Sequence, residues 1–244
     1  MPVKISSFMG PVGFYLRKFA PAPSSVAYLK SQSLLRRRES GEYIRKVLEA
    51  QKKNALYPLY IAVETVNRCN GECAFCPANR HAEKRPYAKM TDALFAKLLD
   101  EIASWEDWRG VFSLYVNNEP FIDNRMKDML SQARKRLPKA QMLVFTNGSL
   151  LTEELMDTLA KSADVVYINN YAESYALRPN IRRMYLYARE RKEQFKNVKI
   201  VIQKRYQKEV LTNRAGNSPN KDAAVRGITE PCLLPYTDLT IYPN

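Results

Sequence analysis

The sequence predicts an α/β fold built on a parallel sheet, and three observations carry that prediction. Short apolar runs rich in β-branched residues alternate with longer segments of helical spacing. The connections are long enough for the crossover helices that parallel pairing demands. Four of the runs end in polar loops, as in sheets whose site lies at the carboxyl ends of the strands.

Residues 1–55 read as an extension. Pro21, Pro23, Ser24 and Ser25 mark a turn. A basic amphipathic helix is expected over 40–53, with Tyr43, Ile44, Val47 and Leu48 on one side. Residues 59–66 form the first buried strand, and a loop with three cysteines follows. Thr91 and Asp92 start a helix whose apolar spacing runs over 93–102. The second strand, 111–116, ends in Asn117, Asn118, Glu119 and Pro120. A helix over 124–136 is closed by Pro138, and the third strand, 141–146, ends in Asn147-Gly148. Thr152 caps a helix over 152–160, with Glu153 and Glu154 in its first turn. The fourth strand, 164–168, runs into Asn169-Asn170, and a helix over 180–195 leads to a fifth strand, 198–203. The cysteine loop and the polar loops at 117–120, 146–148 and 169–170 are expected on one rim, around one ligand.

Composition narrows the class. The chain has 244 residues, 45% hydrophobic and 11% aromatic, enough for a sizeable core. No apolar run reaches the ~18 residues of a membrane span, so none is expected. The apolar run at 8–16 is followed by Arg17 and Lys18 rather than a cleavage site, which predicts a cytoplasmic protein. The net charge of +14 gathers in the extension and in a block over 178–208. It fits an acidic partner, such as a phosphorylated substrate, a nucleotide sugar, nucleic acid or an anionic membrane, or else a solvated basic face. No nucleic-acid-binding motif accompanies it, and no nucleic-acid partner is expected.

Cys69, Cys73 and Cys76 have the spacing Cys-x3-Cys-x2-Cys, while Cys232 stands alone. That is a ligand pattern rather than a disulfide framework. Thiolates are soft donors for iron–sulfur clusters and for zinc. Three of them on a four-iron cluster leave one iron open to a chelating ligand. Gly71 relieves crowding where the loop wraps such a cluster, and Pro77 fixes the exit. The rival is a Cys3His zinc site using His81, the chain's one histidine.

The segment Cys69-Asn70-Gly71-Glu72-Cys73-Ala74-Phe75-Cys76-Pro77 resembles the signature loop of the radical S-adenosylmethionine (SAM) superfamily. The resemblance implies a partial (β/α)6 TIM-type barrel with parallel strands, carrying a basic helical N-terminal extension. It implies a [4Fe–4S] cluster on Cys69, Cys73 and Cys76, with SAM chelated at the open iron. Reductive cleavage of SAM to a 5′-deoxyadenosyl radical and hydrogen abstraction from substrate would follow. A flavodoxin or ferredoxin is the implied electron donor.

The resemblance also places Phe75 against the adenine. Asn117-Asn118-Glu119-Pro120 is similar to the family's Gly-Gly-Glu-Pro motif, which puts Asn118 and Glu119 at the SAM ammonium, with asparagines replacing both glycines. Thr146-Asn147-Gly148 matches a Thr-Asn-Gly found after the third strand. Asn169, and more weakly Gln203 and Arg205, would meet the SAM ribose or carboxylate. The segment around Asn213-Arg214-Ala215-Gly216 is similar to relatives with a SPASM or twitch extension. It implies Arg214 facing substrate and Cys232 on an auxiliary [4Fe–4S] cluster. On this reading 1–55 is the extension, 56–218 the radical SAM core and 219–244 the start of the SPASM/twitch-like part. Residues 240–242 would be a strand lacking its partner, and the chain a C-terminally truncated fragment.

Three functions are expected in order. The first is hydrogen abstraction from, and oxidation of, a small polar substrate of sugar or cyclitol type. The second is modification of a peptide or protein by the same chemistry. The third is a non-enzymatic zinc-binding or basic interaction module.

Overall fold

The computed structural model describes residues 45, 49, 57–106, 108–172, 176–205 and 237–243. Of the extension, only Arg45 and Glu49 are described, as an exposed ion pair one helical turn apart.

Six strands form one sheet: β1 (Tyr60–Val63), β2 (Val111–Ser113), β3 (Gln141–Thr146), β4 (Val165–Tyr171), β5 (Lys199–Arg205) and β6 (Asp238–Ile241). Four helices join the first five: α1 (Asp92–Ala103), α2 (Met126–Arg136), α3 (Glu153–Ser162) and α4 (Pro179–Glu190). The spatial order is β5-β4-β3-β2-β1-β6, and every pairing is parallel. The first five strands therefore lie side by side in chain order, and β5 and β6 are the two edges of the sheet among the described residues. This is a partial barrel of the expected class.

Local chemistry sets the helix ends. The Thr91 hydroxyl accepts from Leu94 N at 3.1 Å, and Thr152 from Leu155 N at 3.2 Å. Each satisfies an otherwise orphaned amide of its first turn. Pro179 opens α4, where its missing N–H costs nothing. One stripe of each helix is apolar. Phe95, Leu99 and Ile102 of α1, and Met129, Leu130 and Ala133 of α2, are buried. They pack on alternate strand residues: Ile61 and Val63, Phe112, Met142 and Val144, Val166 and Ile168, Ile200 and Ile202. Each large side chain so buried contributes about 2 kcal/mol.

Several boundaries differ from expectation, each for a stated reason. β1 ends at Val63 because its partners end there, Ser113 of β2 opposite Ala62 and Ile241 of β6 opposite Val63, and Val66 makes only an isolated antiparallel bridge to Lys89. β2 ends at Ser113 rather than 116. Side-chain acceptors replace the ladder beyond it: Val116 N donates to Asn118 Oδ1 and Asn117 N to Glu64 Oε1. A 3-10 turn, Pro120–Ile122, precedes α2. β4 and β5 run two or three residues longer than expected, because Asn169, Asn170 and Tyr171 pair with Gln203, Lys204 and Arg205. Asn169 and Asn170 are strand residues, not a loop.

The largest correction concerns the last strand. The expectation of an unpartnered strand at 240–242 fails, because β6 pairs with β1 from Tyr60↔Asp238 to Val63↔Ile241. The pairing is long-range, and nothing local in the sequence announces it.

Candidate active site

The cysteine loop leaves β1 and crosses the carboxyl ends of β2 and β3. Its backbone is held from within: Cys76 N and Asn79 Nδ2 both donate to Cys73 O, and Arg80 N donates to Gly71 O. It is also held from outside. Glu119 N donates to Arg68 O at 3.0 Å, and Asn147 Nδ2 donates to Asn70 Oδ1 at 2.8 Å. Asn70 Nδ2 in turn donates to Ser149 Oγ. The loop is thereby laced to the two strand ends that the sequence placed beside it.

All three cysteines are half-buried free thiols. Burial pushes Cys69 up to about 11 and Cys73 up to about 12. Cys76 adds to both shifts and Cys69 to that of Cys73, so the three sulfurs feel one another. Hydrogen bonds from Gly71 N–H, at 3.3 Å, and from the Asn147 side chain pull Cys69 back in part. The Arg178 charge does the same for Cys73. A Cβ on Gly71 would stand 3.3 Å from Cys69 Sγ and 3.8 Å from Cys73 Sγ. The glycine opens the space between two thiols, as expected.

These features fit a cluster better than a lone ion. Among the described residues, no three His, Cys, Asp or Glu side chains converge closely enough to hold a single metal ion. His81 is turned away, with its Nε2 3.3 Å from Glu72 Oε1 and its side chain mostly exposed. A Cys3His zinc site is therefore not assembled. Three soft donors in one loop, two of them flanking an open glycine, suit an iron–sulfur group that extends over several metal atoms.

Glu119 is buried and serves as a latch. Its carboxylate accepts from Thr146 Oγ1 and Asn147 N, both at 2.7 Å, and from Phe121 N at 3.4 Å. Burial raises its pKa to about 7, against those three bonds. Phe75 is buried and packs on Tyr171, with ring centroids 5.7 Å apart. Asn118 Nδ2, Asn169 Oδ1 and Gln203 Nε2 are buried without a hydrogen-bond partner among the described residues. Asn169 and Gln203 are register partners. Orphaned polar atoms at strand ends point to a polar ligand. Arg205 ends β5, beside Tyr171. Arg214 and Cys232 lie outside the described residues.

The sheet face opposite the helices is aromatic. Phe145 stacks on Tyr167 at 4.9 Å and 10°, and Tyr115 tilts against Phe145 at 5.2 Å. All three are only half-buried.

Sequence reasoning missed three participants. Glu64 is fully buried, accepts from Arg85 Nη1 at 3.0 Å and orders Asn117. A carboxylate inside an apolar run was the available signal. Asn70 and the Asn147 side chain lay within the quoted motifs, but their mutual bond spans 77 positions.

Comparison with known proteins agrees with this geometry. A model of the radical SAM superfamily matches residues 63–212. The S-adenosyl-L-methionine-dependent 2-deoxy-scyllo-inosamine dehydrogenase of Niallia circulans is 29% identical over 101 residues, which is 41% of this chain and 40% of that protein. The tungsten-containing aldehyde ferredoxin oxidoreductase cofactor-modifying protein of Pyrococcus furiosus is 31% identical over 111 residues, 45% of this chain and 30% of that protein. The chain thus spans less than half the length of these curated relatives. Among solved structures, BtrN in complex with AdoMet and 2-DOIA superposes with a TM-score of 0.60 at 22% identity, covering 76% of this chain and 70% of that one. The chain belongs to the radical SAM superfamily.

Proposed function

We propose that this chain holds a [4Fe–4S] cluster on Cys69, Cys73 and Cys76, binds SAM beside it, and oxidises a small polyhydroxylated ring of cyclitol or sugar type. When bound, that pair supplies reductive cleavage of SAM and hydrogen-atom abstraction from the substrate. The observation that carries the reading is the cysteine loop itself. Three half-buried thiols lie in one loop, two of them beside Gly71, with no single-ion site formed among the described residues, at the strand ends where buried polar atoms lack partners.

The chain's own residues then have these roles. Glu119 offers a carboxyl that the SAM ammonium would draw into its charged form, while tying the loops after β2 and β3 together. Phe75, fixed against Tyr171, offers its ring to the adenine. Asn118 and Asn169 bring unpaired amide atoms to the polar parts of SAM, and Gln203 extends that set. The row Tyr115, Phe145 and Tyr167 gives an aromatic floor for the C–H face of a ring, and excludes water from it. The cyclitol class is supported by the 2-deoxy-scyllo-inosamine dehydrogenase relative. Arg214 as a substrate-facing cation, Cys232 on an auxiliary cluster, and a flavodoxin or ferredoxin as electron donor belong to the same proposal.

The test is anaerobic reconstitution with iron and sulfide, then reductant, SAM and 2-deoxy-scyllo-inosamine. Uptake of iron with broad visible absorbance, and release of 5′-deoxyadenosine that Cys73→Ala abolishes, is expected. A reconstituted chain that binds one zinc and no sulfide sinks the proposal. 5′-Deoxyadenosine formation without oxidation of any cyclitol or sugar tried sinks the substrate class alone.

A further inference from the structure

The loop after β2 hangs from residues 64–68, the stem that leads from β1 into Cys69, and Glu64 makes one of the bonds that hold it. We propose that Glu64 is a positioning residue for SAM: its carboxyl fixes the loop that carries Asn118 and Glu119 at a set place relative to the cysteines. The inference rests on the cluster and SAM reading above and gives a role to a residue outside every motif of that site.

Asn118 stands between two anchored amides. On one side Asn117 N donates to Glu64 Oε1 at 3.2 Å, and on the other Glu119 N donates to Arg68 O at 3.0 Å. Both acceptors belong to the stem. The stem is held in turn: Glu64 N donates to Ile241 O of β6 at 2.8 Å, and Arg68 Nη2 donates to Arg85 O at 2.9 Å. Asn118 is oriented as well. Its Oδ1 accepts from Val116 N at 3.0 Å, and its Nδ2 is buried without a hydrogen-bond partner among the described residues. A ligand that meets both the cysteine loop and Asn118 therefore finds their separation already set, and loses less freedom on binding.

Stability alone does not account for Glu64. The side chain is fully buried, and Arg85 Nη1 donates to its Oε2 at 3.0 Å. Glu83 grips Arg85 from the other side, accepting from Nε at 3.0 Å and from Nη2 at 2.8 Å. Taking such a pair out of water costs about what the attraction returns, so an apolar pair of the same volume would hold the fold as well. What the carboxyl adds is an acceptor for Asn117 N, which lies beyond the end of β2 at Ser113 and has no ladder to serve it.

The experiment is equilibrium dialysis of SAM against the reconstituted holoprotein as wild type, Glu64→Gln, Arg85→Met and the double variant. In Glu64→Gln one amide oxygen replaces two acceptors, and the guanidinium charge takes it. The amide nitrogen then faces Asn117 N–H, and the SAM Kd should rise about tenfold. Arg85→Met leaves the Glu64 carboxyl on Asn117 and should leave the Kd unchanged. In the double variant the glutamine oxygen is free to turn back to Asn117, and the Kd should return to the wild-type value. A purely stabilising role predicts the reverse, with the double variant the weakest binder. An unchanged Kd in Glu64→Gln at full iron content, or no recovery in the double variant, overturns the proposal. Should Glu64→Gln fail to hold iron, hydrogen exchange at the Asn117 amide of the wild-type holoprotein decides. If SAM binds only the anchored loop, protection there should rise about tenfold with SAM at ten times its Kd. Protection that SAM leaves unchanged refutes the role. A wild-type holoprotein that binds no SAM is a separate failure, that of the proposed function, and this inference falls with it.

Discussion

Replacing Glu119 by glutamine should change how stability depends on pH, and the size of the change follows from burial. Glu119 is 2% exposed, and its pKa stands at about 7 instead of the ordinary 4.5. Between those values the unfolded chain has lost this proton and the native chain still holds it. The native state then binds more protons, so stability falls as pH rises. The contribution is fully present below pH ~4.5 and is lost as pH climbs through ~7. A shift of this size corresponds to about 3 kcal/mol. In Glu119→Gln the side chain would be neutral throughout, and its oxygen can still accept from Thr146 or Asn147, so the variant contributes no slope. Urea denaturation of the metal-free chain at pH 5, 6, 7 and 8 measures the difference. The stability of wild type relative to Glu119→Gln should fall by about 2 to 3 kcal/mol from pH 5 to pH 8. Parallel curves for the two proteins would refute the account of Glu119 as a buried carboxyl that keeps its proton near neutrality.

Three other substitutions test the scaffold. Gly148 has φ +73°, and a Cβ there would meet Ile181 Cγ1 at 2.7 Å and Ile168 Cγ2 at 2.8 Å. Gly148→Ala should cost about 3 kcal/mol in urea denaturation, from strain and overpacking together. Arg85→Gln would leave Glu64, fully buried and already raised by burial, without its cation. The loss should be about 2 kcal/mol, discounted for the partly exposed guanidinium, and larger at pH 8 than at pH 5 because the unpaired carboxyl can then escape only by staying protonated. Thr152→Ala removes the hydroxyl that accepts from Leu155 N and should cost about 1 kcal/mol, read as a lower urea midpoint with unchanged slope.

The sequence by itself determined the elements and the donor set. Helical and strand periods are local properties of the chain, and so are the caps at Thr91 and Thr152. The three cysteines lie within eight positions, so their spacing could be read directly as a ligand loop. Only the tertiary structure decided what depends on distant partners. It paired β6 with β1, extended β4 through Asn169 to Tyr171, and showed Glu64 and Glu119 to be buried acceptors for other loops. It also turned His81 onto Glu72 and brought Asn147 to Asn70. The physical reason is the same in each case. A hydrogen bond or a strand pairing takes its partner from whatever the folded chain brings within reach, and residues far apart in sequence carry no local sign of that meeting.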